Sequence, residues 1–364
     1  MEERGIRIFA PDEEEPTKDS EVFFNEEMRR NRDLSEIALS VFAGESDIDE
    51  LRAVDALAGT GIRGMRYAGH ADRVFLNDTN PSAVENIERA LDENGIDAEV
   101  SNKDANVLLS EHRNYFHFID IDPFGPFTSF LDSAARATNH NGFAGFTATD
   151  NAVAAGSYVK TCRRRYGVEP MDESFMHEVG LRIYIGEVFR NYARFDKCFD
   201  PKISFHHRHY SRVMGRVTES KRRTNRSLDS MGYLSFCPDC RWRGFERREE
   251  CPVCGSGTRI AGPLWTGKFV DRRFTEKMLE EFPGDWESKE FLETVHGESE
   301  ILTPFYDMHE LASSLKVQVP PRDDVLEAIE ERGYPVSETH FSPTGFRTDA
   351  PVEDVRQIIE DLSP

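Results

Sequence analysis

The chain has 364 residues, 38% hydrophobic and 31% charged, with 26 phenylalanines, which excludes a disordered polyelectrolyte and is enough for two domains of roughly 100 to 200 residues. Its 45 Lys and Arg face 67 Asp and Glu, a formal net charge of −22, and 35 of the 45 cations are Arg. With no apolar run of about 18 residues and no basic-then-apolar leader, neither a membrane span nor secretion is expected.

The first residues lead into an acidic, proline-containing run at 11–16. Residues 21–43 then place Met28, Leu34, Ile37, Ala38 and Val41 at helical spacing. From residue 51 short apolar runs at 51–57, 74–76, 98–100, 116–121 and 142–147 read as strands, with helix-like segments between them. In the segment 80–93, Pro81 suits a first turn and Gly95 a C-terminal stop. Strands alternating with helices predict βαβ units and a Rossmann-like, doubly wound parallel sheet, whose ligands sit at the carboxyl ends of the strands. Those positions are polar: Gly59, Gly61 and Gly64, then Asn77 and Asp78, then Asp104 and Ala105, then Asp122-Pro123-Phe124-Gly125.

Gly59, Gly61 and Gly64 satisfy G-x-G-x-x-G, and Asp78 follows where an acid can bond a ribose diol, so an NAD-dependent oxidoreductase is one reading. Asp122 to Gly125 favours another. It resembles the D-P-P-Y loop of amino-directed methyltransferases that use S-adenosylmethionine. An exocyclic base amine delocalises its lone pair into the ring and is a poor nucleophile until acceptors hold its N–H groups. A carboxylate and a neighbouring carbonyl supply those acceptors, and an aromatic ring fixes the base plane. Asp120, two residues earlier, shares the strand face and either orients Asp122 or caps the strand edge.

Residues 160–273 hold 24 Lys and Arg against 14 Asp and Glu, a basic section in an acidic chain, with runs at Arg163 to Arg165, Lys221 to Arg226 and Arg241 to Arg248. Either a polyanion partner or a solvated surface accounts for it. Within it, Cys237-Pro-Asp-Cys240 and Cys251-Pro-Val-Cys254 have the spacing of a zinc ribbon, with a hairpin expected at 241–248; four thiolates on one structural Zn²⁺ replace a core too small to form otherwise. Cys162 and Cys198 are expected to be buried and unpaired, and His206, His207 and His209 to be structural or RNA-facing. Two short helices, at 323–332 and 352–362, allow a winged-helix-like arrangement near the C-terminus. The Arg excess and acidity fit a salt-rich cell, and equally an acidic protein of ordinary salinity.

Taken together, Phe23-Phe24-Asn25, Asn31-Arg32-Asp33, the run from Asp55 to Gly64, Asp122 to Gly125, Thr147 to Asp150, Cys162 to Tyr166, His209 to Arg212, Gly262 to Trp265, Thr339 to Pro343 and Thr348 to Pro351 resemble the archaeal and eukaryotic tRNA (guanine-26-N2)-dimethyltransferases across nearly the whole chain. The resemblance implies a class I S-adenosylmethionine-dependent methyltransferase domain at 1–218 and a smaller α+β, tRNA-binding domain at 219–364 carrying the ribbon at 231–260. It implies transfer of one or two methyl groups to guanine N2 of a flipped base, in a cytoplasmic monomer. Asp122 would be catalytic, with Phe23 and Phe124 clamping the guanine and Phe24 the competitor of Phe23. The donor pocket would draw on Arg32, Asp55, Gly59, Gly61, Arg63, Asp78, Asp104 and Ala105, with Asp78 on the ribose, Asp104 and Ala105 at the adenine, and Arg32 and Arg63 near the methionine part. From its own sequence neighbours, Arg32 also reads as a helix-surface partner of Asp33 or Glu36. The same chemistry on another guanine or on ribosomal RNA, and a non-catalytic RNA-binding protein, are the other readings.

Overall fold

The computed structural model describes residues 1–9, 24–284 and 286–363; Phe23 and the run at 11–16 lie outside them. A short hairpin, β1 (Glu2–Glu3) with β2 (Ile6–Arg7), precedes helix α1 (Arg29–Gly44). The alternation then runs β3 (Arg52–Asp55), α2 (Ile62–Tyr67), β4 (Arg73–Asn77), α3 (Pro81–Asn94), β5 (Glu99–Ser101), α4 (Ala105–Glu111), β6 (Phe116–Ile121), α5 (Leu131–Ala137) and β7 (Thr138–Ala148). It continues with α6 (Asn151–Ala154), α7 (Val159–Tyr166), α8 (Met176–Ala193) and the paired strands β8 (Lys197–His207) and β9 (Tyr210–Glu219).

These strands form one seven-stranded sheet in the order β5-β4-β3-β6-β7-β9-β8, parallel from β5 to β7, with β9 antiparallel to both neighbours. Helices cover both faces: α1 packs with α2 on one side, and α4, α5 and α8 pack together on the other. A central parallel strand is buried on both faces, which is why all six residues of β6 are buried and why Phe118 stacks on Phe143 of β7 at 5.4 Å. Helix α3 starts where expected: Asn80 caps it by accepting the Ser82 amide at 3.0 Å, Pro81 occupies the first turn, and Gly95 ends it at φ 62°. Helix α1 starts later than expected, at Arg29. The preceding turn, Glu26–Met28, is a 3₁₀ helix capped by Asn25.

Beyond β9 come α9 (Lys221–Ser227) and a three-stranded sheet of β10 (Met231–Phe236), β11 (Arg243–Gly244) and β12 (Arg259–Trp265), ordered β11-β10-β12. The hairpin expected at 241–248 is not formed, because Arg243 and Gly244 pair back onto β10 instead. Helices α10 (Arg272–Glu281) and α11 (Ser288–Gly297) pack on α1, so one hydrophobic core runs from Ile8 to Phe305 across residue 218. A second core belongs to β13 (Tyr306–Asp307), α12 (Met308–Leu315), α13 (Arg322–Glu331), β14 (Val336–Glu338), β15 (Gly345–Thr348) and α14 (Val352–Asp361). Both expected C-terminal helices are present as α13 and α14. Among the described residues no helix is long and apolar enough to cross a membrane.

A buried charged cluster fastens the last unit to helix α8, which packs on the seven-stranded sheet. Glu298 accepts hydrogen bonds from Thr339, His340 and Arg347, while Arg347 pairs with Glu178 of α8 at 2.8 Å. Burial opposes the Glu298 charge, but His340 and Arg347 hold its carboxyl down to about 2.

Candidate active site

The sheet changes direction between β3 and β6, which lie side by side with Asp55 in register with Asp120. Crevices at such a switch point, beyond the carboxyl ends of the strands, are where doubly wound sheets hold ligands. The glycine loop joins β3 to α2 there. Gly61 sits at φ 77°, a left-handed conformation that side chains resist, and a Cβ on Gly64 would fall inside Leu76, so α2 approaches β4 only with glycine at that point. Asp78, at the end of β4, accepts the Gly59 amide at 2.9 Å and the Asn80 amide at 2.9 Å. Asp104 caps α4 by accepting the Asn106 amide at 2.8 Å, with Ala105 buried beside it. The carboxyl ends of β3, β4, β5 and β6, which are neighbours in the sheet, thus bring these residues to one edge.

Asp55 is the unusual member. It is 1% exposed, and neither carboxylate oxygen has a hydrogen bond of acceptable geometry among the described residues. Burial pushes its carboxyl up to about 7 against the pull of Arg63, with Asp120 and Asp122 adding to the rise. An orphaned carboxylate in a crevice with more acids than bases fits a cationic ligand, which would pair the charge and relieve the desolvation cost.

Asp122 lies just past β6 and is gripped by Arg63 through a short ion pair. The Arg63 guanidinium is buried and also donates to Asn31 Oδ1 at 2.9 Å and Ser35 Oγ at 3.1 Å, both on α1, and lies 3.6 Å from Asp120. Asp120 is fully buried and takes both terminal nitrogens of Arg212 from β9, together with the Tyr67 hydroxyl. Burial alone would raise its carboxyl, but Arg212 and then Arg63 outweigh that and hold it below the ordinary range. Asp120 therefore reaches Asp122 through Arg63 and anchors β9 rather than a strand edge. The next residues of the loop are fixed too: the Gly125 amide donates to Thr149 Oγ1 at 2.7 Å, while Phe124 is 52% exposed at the crevice rim.

Arg32 departs from its expected surface pairing. It is buried and meets Glu3 of the N-terminal hairpin, its Nε donating at 2.8 Å, and its guanidinium lies 5.0 Å over the Phe24 ring. Asp33 and Glu36 instead pair with Arg66, and Asp33 with Arg4 as well. Phe24 is half-buried and packs against the core; Phe23 lies outside the described residues. Arg212, Asp120, Asn31, Ser35 and Thr147 form a buried polar network that spacing alone did not announce. The period-two offset of Asp120 from Asp122 was the one available signal.

The four ribbon cysteines gather at the tip of the β10–β12 sheet, their sulfurs all within 4.8 Å of one another. Among the described residues no other group of three or more His, Cys, Asp or Glu has metal-binding proximity. Cys162 and Cys198 are buried and free. His206 is buried, stacked on His177 at 4.1 Å and bonded to Ser211, and burial drives its imidazole down to about 2; it is structural.

Fold and crevice define a Rossmann-like methyltransferase with an acidic, amino-directed loop. A family profile described as N2,N2-dimethylguanosine tRNA methyltransferase matches residues 6–360. The tRNA (guanine(26)-N(2))-dimethyltransferase of Methanothermobacter thermautotrophicus is 36% identical over 381 aligned residues, covering 100% of this chain and 99% of that protein. Its namesake from Methanopyrus kandleri is 37% identical, covering 96% of this chain. The solved complex of Trm1 from Pyrococcus horikoshii with S-adenosyl-L-methionine superposes with a TM-score of 0.84 at 31% identity, covering 97% of each chain. The chain belongs to the N2,N2-dimethylguanosine tRNA methyltransferase family.

Proposed function

We propose that the chain transfers one or two methyl groups from S-adenosylmethionine to the exocyclic N2 of guanine 26 in tRNA, with Asp122 as the acceptor for the amine protons. Full-length family membership, with Asp122 fixed at the carboxyl end of β6, carries the reading. S-adenosylmethionine, when bound, supplies an electrophilic methyl group on a sulfonium.

Everything else falls to the chain. Asp78, with the glycine loop, would hold the ribose, and Asp104 and Ala105 the adenine edge, since carboxylates that already accept two amides keep lone pairs for a ligand. Asp55 would pair the positive charge of the methionine part. Arg32 and Arg63 would lie near the methionine part; Arg63, paired with Asp122, would also orient that carboxylate toward the guanine amine. Phe124, and Phe23 with it, would stack on the base, returning roughly 1 to 3 kcal/mol per base against the few kcal/mol of flipping. Asp122 would take or orient the amine proton as nitrogen attacks the methyl carbon.

In the ribbon, Cys237, Cys240, Cys251 and Cys254 would hold a structural Zn²⁺. Tetrahedral Zn–S bonds of about 2.3 Å place sulfurs roughly 3.8 Å apart, and the observed Cys237–Cys254 and Cys240–Cys251 separations are both 3.5 Å. We read the chain as acting as a monomer in the cytoplasm. Incubation with unmodified tRNA and donor, followed by nucleoside mass spectrometry, tests the activity. Equal tRNA binding by Asp122→Ala without product separates catalysis from RNA binding alone, and calorimetry with NAD beside S-adenosylmethionine tests the oxidoreductase alternative.

A further inference from the structure

The basic section does not form one surface. Helix α9, with exposed Lys221, Arg222 and Arg223, follows the end of β9 that pairs with the start of β8, where Lys197 Nζ donates to the carbonyls of Ala135 in α5 and Thr138 at the start of β7. That is the amino edge of the parallel strands, opposite the crevice.

Helix α7 lies on the catalytic edge. Asp150, two residues past β7, accepts hydrogen bonds from Arg165 at 2.5 Å, the Tyr166 hydroxyl at 2.8 Å and the Tyr184 hydroxyl at 3.1 Å. Its neighbour Thr149 exchanges two hydrogen bonds with Gly125, so α7 and the Asp122 to Gly125 loop share one framework. Cys162 and Tyr166 face inward and are buried; Lys160, Arg163 and Arg164 face outward and are exposed. Arg163 pairs with Glu169, whereas Lys160 and Arg164 have no ion pair or hydrogen bond among the described residues. Tyr158, immediately before the helix, is 60% exposed. Unpaired cations and an open aromatic ring beside a catalytic loop, on a chain of net charge −22, complement a polyanion with accessible bases.

We infer that the outer face of α7 grips the phosphate backbone of the substrate beside the guanine being methylated, through Lys160 and Arg164, with Tyr158 stacking on a neighbouring unstacked base. This rests on the tRNA methyltransferase reading. The test uses the full-length chain with unmodified tRNA transcript, measuring Kd across a salt series, donor affinity and melting temperature. The Lys160→Gln/Arg164→Gln variant is expected to bind at least about tenfold more weakly at low salt, with a log–log salt slope shallower by about two. Donor affinity and melting temperature should match the parent. Tyr158→Ala is expected to weaken binding with the slope unchanged, and Arg222→Gln/Arg223→Gln on α9 to behave as the parent. A parent-like Kd and slope in the α7 charge variant, or an equal loss in the α9 variant, overturns the phosphate grip; a parent-like Kd in Tyr158→Ala overturns the stacking. Failure of the parent itself to methylate tRNA guanine, read in the same reactions, would overturn the activity instead.

Discussion

At the scale of single residues, the crevice separates two carboxylates by environment. Asp122, beside Arg63 and partly open, can accept amine protons, so Asp122→Ala should cut turnover by about 10² to 10⁴ while donor affinity, measured by calorimetry, stays near the parent value. Equal losses in both would contradict its role. Asp55 is buried with no hydrogen bond of good geometry to its carboxylate, and burial pushes its carboxyl up to about 7. Because that value lies above the ordinary 3.8, the folded chain keeps an extra proton between about pH 4 and 7, and this group's contribution to stability falls as pH rises through that window. A cationic donor pairing with Asp55 expels the proton. Donor binding should therefore release up to one proton near pH 6, visible in buffers of different ionisation enthalpy, and Asp55→Asn should abolish that release and weaken binding. Zero proton release in the parent would remove Asp55 from the donor pocket. The places of Asp122 and Asp78, each just past a strand, were legible in the sequence. The isolation of Asp55 was not, since it depends on which atoms surround it.

At the scale of elements, two devices stand in for hydrophobic core. The ribbon is short, with four sulfurs at its tip, so Cys251→Ser should abolish a zinc content of one per chain and lower the melting temperature, as should chelation. A metal-free parent with an unaltered melt on chelation contradicts the site. The other device is the clasp of Glu298 with His340 and Arg347. Its carboxyl, held at about 2 against an ordinary 4.5, contributes stability that is present above about pH 4.5 and lost as pH falls toward 2. Glu298→Gln leaves Arg347 and His340 short of a buried counter-charge and should cost about 3 to 5 kcal/mol, with a flatter acid limb in pH-dependent unfolding. Periodicity and turn residues revealed β6, α3, α13 and α14 because each obeys a local rule. The start of α1 was misplaced because a 3₁₀ turn occupies Glu26–Met28, and the hairpin at 241–248 failed because β11 found a better edge on β10. The clasp joins residues 178, 298, 340 and 347, and no local pattern links them.

On the scale of the whole molecule, the charge is divided: an acidic chain carries exposed cations on α7 beside the Asp122 to Gly125 loop and, at the opposite edge, on α9. The acidic excess is tolerable where salt screens it, since the Debye length shortens from about 10 Å at 0.1 M to about 3 Å at 1 M. If the chain is adapted to a salt-rich cell, dialysis to low salt should abolish cooperative unfolding, whereas a retained cooperative melt would argue for an ordinary acidic protein. Fold class and cofactor were readable from alternation, glycine loop and Asp122 to Gly125, but the single core running through to Phe305 was not, because α10 and α11 dock on α1 from more than 200 residues away. The most direct test is to incubate the purified chain with S-adenosylmethionine and unmodified tRNA transcript and to analyse the nucleosides by mass spectrometry. N2-methylguanosine and N2,N2-dimethylguanosine, both lost with Asp122→Ala and both lost when guanine 26 of the transcript is replaced, are the predicted result. Donor binding with no modified guanine, or product undiminished in the Asp122 variant, would contradict it.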